Sequence, residues 1–169
     1  MLEGYFNELH FIEAIEKLIE PEEVELPSRI AHIYDGMVVL QQASNIPLET
    51  FGDLSEYIFS RIIKDVNVVY FVTDRYMAGS IKSYERGIRK EKGSIRYRIE
   101  RRDQKRTKQW KKYMKDSDNK IDLVQFLFQD WSDPSRFSSK LAGKTLYFNI
   151  EDRFHKLTCV NGEVNFTYK

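Results

Sequence analysis

The feature that most constrains this chain is the octet Val66-Asn67-Val68-Val69-Tyr70-Phe71-Val72-Thr73, β-branched or aromatic almost throughout and closed by Asp74. A strand apolar on both faces has no solvated side, so it belongs in the middle of a parallel sheet with helices over it. Parallel neighbours need a crossover connection, usually a helix. The preceding residues supply one. Thr50-Phe51-Gly52-Asp53 sets a capping hydroxyl three residues before an acid. It predicts a helix through about Lys64 with Phe51, Leu54, Ile58 and Ile62 on the buried face. Upstream, Arg29-Ile30-Ala31-His32-Ile33-Tyr34 reads as a short strand that stops at Asp35-Gly36. Met37 to Gln42 reads either as the start of a helix or as more strand, and periodicity leaves both open. The unit is strand, helix, strand, with a right-handed crossover expected.

Both strands end on an acid. In open α/β sheets the ligand crevice lies outside the carboxyl ends of the strands. If the two strands are neighbours, about 4.8 Å apart, Asp35 and Asp74 can converge on one point. Paired carboxylates are the hard oxygen donors that Mg²⁺ or Mn²⁺ takes while keeping several waters. Such an ion activates water and stabilises the oxygens of a phosphodiester displacement. The plainer reading is that each acid ends a strand or caps a helix.

Charge is segregated along the chain. Residues 1–81 carry 5 basic against 14 acidic residues, residues 82–115 carry 15 against 4, and residues 116–169 carry 7 against 8. The overall charge of +1 hides a central block of +11. A block this basic repels itself and attracts polyanions, so nucleic acid is the expected partner. A solvated basic helix or loop without a partner is the alternative. Within it, Trp110 with Tyr113, or Tyr97 among Arg96 and Arg98, has the composition of a base-stacking platform. Anchoring to the core is the favoured reading for Trp110 and Trp131.

The remaining segments are more conventional. Apolar residues at helical spacing from Tyr5 to Ile19, ended by Pro21, predict an amphipathic helix over residues 1–25, with the α/β domain over 26–169. After Asp74, a turn at Met77-Ala78-Gly79 leads into a helix over Ser80–Lys90. Ser94 to Gln104 alternates in part and reads as a β-ribbon or a mobile arm. Asp118-Asn119 is read as the cap of a helix running to Trp131 and broken at Asp133-Pro134. Residues 144–150 form a strand, and Asn161-Gly162 joins two more in a hairpin. A single cysteine, Cys159, allows no internal disulfide, and His10, His32 and His155 lack metal-ligand spacing. No apolar run approaches the length of a membrane span, and no basic-then-apolar secretory start is present. The expected compartment is cytoplasmic or nuclear.

A resemblance sharpens this. Ile33-Tyr34-Asp35-Gly36-Met37 resembles the opening motif of the PIN-like and flap-endonuclease (5′-nuclease) superfamily. Val69-Tyr70-Phe71-Val72-Thr73-Asp74-Arg75, followed by Lys82, Arg86 and Arg89, resembles that group's second motif. Thr73-Asp74-Arg75-Tyr76, Ser80-Ile81-Lys82, Gln109-Trp110-Lys111-Lys112 and Asn119-Lys120 resemble a group of uncharacterised invertebrate proteins, over residues 30–165. The resemblance implies a partly parallel PIN-like sheet flanked by helices, with a C-terminal β-hairpin. It implies a metal-dependent nuclease in which Asp35 and Asp74 bind Mg²⁺ or Mn²⁺, and Lys82 with Arg86 or Arg89 holds the scissile phosphate. The basic arm of about residues 82–115 would guide the strand through Arg96, Arg98, Arg101, Arg102, Lys105, Arg106, Lys111 and Lys112. The superfamily completes its acidic cluster with later acids. Here Asp118 and Asp122 read as helix-opening residues, and Asp130, Glu151, Asp152 and Glu163 lack a strand-end context. The expectation is therefore the N-terminal part of a longer domain, completed by a missing C-terminal segment or a protein partner. The alternative is a non-catalytic nucleic-acid-binding or protein-interaction module that keeps the fold.

Overall fold

The computed structural model describes residues 30–74, 93–150, 153–160 and 163–168. The helix expected within residues 1–25, the turn at 77–79 and the helix over 80–90 lie outside them. Strand β1 (Ala31–Asp35) leads directly into helix α1 (Gly36–Gln42), which settles the ambiguity at Met37. Helix α2 (Phe51–Ile62) opens with the predicted capping box: the Thr50 hydroxyl accepts from the Asp53 N–H, and the Asp53 carboxylate accepts from the Thr50 N–H. Phe51, Leu54, Ile58 and Ile62 are all fully buried, as their spacing requires.

Strand β2 (Val68–Val72) follows, then a long excursion through α3 (Trp110–Tyr113), α4 (Ser117–Trp131) and α5 (Pro134–Leu141). The chain returns as β3 (Thr145–Ile150), β4 (Arg153–Val160) and β5 (Glu163–Tyr168). The five strands lie in the order β1-β2-β3-β4-β5. β1, β2 and β3 are mutually parallel, whereas β4 and β5 add antiparallel. The fold is α/β with a mixed, partly parallel sheet flanked by helices and ending in a β-hairpin. Val160 pairs with Glu163 across the two residues read as the hairpin turn.

One face of the sheet carries the core. Val69, Phe71, Leu146, Phe148 and Leu157 are fully buried there. Trp131 sits edge-on to Phe59, Phe71 and Phe148 with centroids 5.2–5.5 Å away, a favoured aromatic geometry. The opposite face departs from the expectation of a strand covered on both sides. Val72 remains 36% exposed and Ile33, on β1, 74% exposed. Tyr70 and Tyr147, in register on neighbouring strands, stack with centroids 4.6 Å apart and planes 9° from parallel. The two rings cover each other, so an aromatic-rich strand tolerates a half-open face.

Two boundaries also differ from the sequence reading. The cap of α4 is Asp116, which accepts from the N–H groups of Asp118 and Asn119. Asp133 does not merely break a helix; it caps α5, with Pro134 at the first turn.

Candidate metal and nucleic-acid site

Asp35 is the last residue of β1 and stands in register with Val72; Asp74 lies two residues further along the exit of β2. Both acids therefore sit at the carboxyl edge of adjacent parallel strands, and both are exposed. Asp35 has a second task. Its Oδ1 accepts from the N–H groups of Met37 and Val38, at 2.9 and 3.1 Å, and so caps α1. Its Oδ2 makes no hydrogen bond among the described residues.

The strand-to-helix turn is tight. A Cβ on Gly36 would stand 2.7 Å from the Phe71 ring and 2.9 Å from the Thr73 methyl. Glycine thus brings the start of α1 against the exit of β2. That exit is held from the other side by Asn149 of β3. The Asn149 Oδ1 accepts from the Thr73 N–H, its Nδ2 donates to the Thr73 carbonyl at 3.1 Å, and the Thr73 hydroxyl donates to the Asn149 carbonyl. Sequence reading missed Asn149, whose signal is its place at the end of an apolar strand.

The acids present fit a divalent ion in kind: hard oxygen donors, one with an uncommitted oxygen, of the sort that hold Mg²⁺ alongside waters. In number they are sparse. Among the described residues no three His, Cys, Asp or Glu side chains group as metal ligands. Of the later acids, Glu151 and Asp152 lie outside the described residues. Asp130 is buried in an ion-pair network instead. Lys82, Arg86 and Arg89 also lie outside the described residues.

The predicted basic arm divides. Residues 94–106 form neither ribbon nor free arm but an irregular segment packed on the core through Ile95, Tyr97 and Ile99. Its carbonyls at Arg102 and Gln104 accept from the Gly52 and Phe51 N–H groups, closing the open end of α2. Three of its arginines are tied to the rest of the fold. Arg96 donates to Asn119 and Asp122, both at 2.7 Å. Asn119 is buried and fully used: its oxygen also accepts from the Tyr97 N–H, and its amide donates to the carbonyls of Ile95 and Tyr113. Arg102 reaches Asp130 at 3.1 Å and Glu56 at 2.6 Å. Asp130 additionally accepts from the Ser55 hydroxyl at 2.6 Å and pairs with Arg136 at 3.1 Å. Arg106 donates to the Ala43 carbonyl, lies 4.3 Å from the Trp110 ring centre, and is buried enough that its pKa falls.

The other predicted cations face outward. Arg98 is exposed, and Arg101, also exposed, lies 3.5 Å from Asp103. Lys105, Lys111 and Lys112 are exposed and make no ion pair among the described residues. Lys108 and Lys115, which the sequence reading did not single out, share that condition. Their spacing of three and four residues from Lys111 and Lys112 was the available signal.

The aromatic residues of the same segment are not available to bases. Trp110 is 4% exposed and donates to the Leu40 carbonyl; Tyr113 is fully buried, and burial pushes its phenol pKa up. Tyr97 stacks on Phe51 and donates through its hydroxyl to the Lys105 carbonyl. No helix among the described residues is long and apolar enough to cross a membrane. Searches of family profiles, curated proteins and solved structures returned no match to this chain.

Proposed function

We propose that this protein binds nucleic acid and cleaves phosphodiester bonds with the help of Mg²⁺ or Mn²⁺. The observation that carries the reading is the register of β1 and β2, which gives Asp35 and Asp74 a common edge at the carboxyl ends of adjacent parallel strands. The Oδ2 of Asp35 and the carboxylate of Asp74 would hold the ion. A bound Mg²⁺ would supply an activated water and charge stabilisation at phosphate oxygens. Gly36 and Asn149 fix the approach of the two strand exits, so they position the acids without touching substrate.

The test is cleavage of labelled DNA and RNA oligonucleotides by the full chain, with Mg²⁺ or Mn²⁺, against Asp35→Asn and Asp74→Asn. The reading expects each substitution to lower the rate at least about 100-fold while binding persists, since removing an anion does not weaken contact with phosphate. A second reading, a non-catalytic binding module, is favoured by one observation: the Oδ1 of Asp35 already serves as a helix cap. It expects binding without any metal-dependent cleavage to lose.

A further inference from the structure

We propose that Lys105, Lys108, Lys111, Lys112 and Lys115 form a contact surface for the backbone of double-stranded nucleic acid, engaged through charge and independent of sequence. The inference rests on the nucleic-acid reading above and names the form of the ligand.

Helix α3 and its flanks set the pattern. Trp110, Tyr113 and Met114 turn inward and are buried, so the residues between them are forced outward. Those residues are Lys111 and Lys112; Lys108 precedes the helix and Lys115 follows it, so the lysines cluster along one short stretch of chain. All are exposed, and none is neutralised by a carboxylate among the described residues. Lys105 precedes them, exposed, where the backbone bridges to Thr50.

The chemistry absent from this face is equally specific. Single-strand binders gain about 1–3 kcal/mol per base from exposed aromatic rings. Here Tyr97, Trp110 and Tyr113 are spent on the cluster around Phe51. Base edges in the major groove are read chiefly by the forked guanidinium of arginine. Within residues 105–115 the one arginine, Arg106, is tied to the Ala43 carbonyl and lies over the Trp110 ring. What is presented is a row of compact point charges on flexible stems, suited to phosphate rather than to bases. Duplex DNA carries about twice the axial charge density of one strand. A surface whose only attraction is charge prefers it.

The experiment is fluorescence anisotropy with the full chain in EDTA, using a labelled 24-base-pair DNA duplex, each of its strands, a duplex of scrambled sequence and anionic phosphatidylserine vesicles. Omitting metal separates this test from that of cleavage. Tighter binding to both duplexes than to either strand is expected, with equal affinity for the two sequences. Lys111→Gln/Lys112→Gln/Lys115→Gln should lower the slope of log affinity against log salt by about 2 to 3, since each neutralised phosphate accounts for about 0.9. Its circular dichroism and melting point should not change, because these exposed side chains hold no ion pair among the described residues. Three results would overturn the proposal: single strands binding as tightly as the duplex, a triple variant with an unaltered slope, or vesicles bound in place of nucleic acid.

Discussion

Two neighbouring stretches of this chain carry similar charge and use it in opposite ways. In residues 94–106 the arginines at 96, 102 and 106 are tied to carboxylates, an asparagine and backbone carbonyls, while Arg98 and Arg101 stay exposed. In residues 105–115 the lysines are turned outward and left unpaired among the described residues. Side-chain chemistry explains the division. A planar guanidinium with fixed donors and weak hydration can be desolvated against several acceptors at once, whereas an ammonium is strongly hydrated and loses more on burial. A basic block therefore need not be a single surface. Of the ten described basic residues of this one, Arg96, Arg102 and Arg106 hold segments together, and the other seven are exposed.

The contrast can be broken from the inside first. Phe51 contacts Tyr97, Trp110, Tyr113 and Phe126, so Phe51→Ala empties the centre that both stretches pack on. A loss of about 4 kcal/mol in urea unfolding is expected, in the range for deleting a buried aromatic ring. Asp130→Ala comes next, at about 3 kcal/mol. It leaves Arg102 and Arg136 without their shared carboxylate, and their partial exposure keeps the cost at the low end for a broken buried pair. Gly36→Ala forces a methyl group against Phe71 and Thr73 and should cost about 2 kcal/mol, read from the shift of the denaturant midpoint.

Asp53→Ala should cost about 1 kcal/mol at pH 7 through loss of the capping box. Hydrogen bonds from Thr50 hold the Asp53 carboxyl below its ordinary value of 3.8. Its contribution is therefore complete above that value and disappears as pH falls through the lower, folded-state value. A urea series from pH 7 to pH 3 should show the gap between the variant and the unaltered chain closing at the acid end. The smallest effect belongs to the outward lysines: Lys111→Gln should change stability by less than about 0.5 kcal/mol. A large loss there would mean that the two stretches do not differ as described.

Much of the fold was legible in the sequence where local and global signals agree. The capping box at Thr50, the β-branched run at Val68–Val72 and the Asn161-Gly162 pair each specify one element, and the pairing of β1, β2, β4 and β5 follows from them. The 94–106 segment was not legible because it has no regular structure. Its order comes from partners such as Asn119, Asp122 and Asp130, more than twenty residues away. Alternating Ile95, Tyr97 and Ile99 mimicked a strand while serving to anchor a loop. At the candidate site, Asp35 and Asp74 were legible from their strand-end positions. The capping duty of Asp35 was visible only once α1 was known to start at Gly36. Which basic residues are free was hidden, because charge in a sequence does not reveal whether a counter-charge lies opposite.

The clasp between Thr73 and Asn149 joins residues 76 positions apart. During synthesis Asp74 emerges long before the asparagine that fixes the backbone beside it. The β1–β2 register brings the two acids to one edge, but the backbone beside Asp74 gains its last restraint only from β3. A chain released before residue 149 would carry both aspartates and the whole lysine row, yet lack the clamp on the backbone next to the second aspartate.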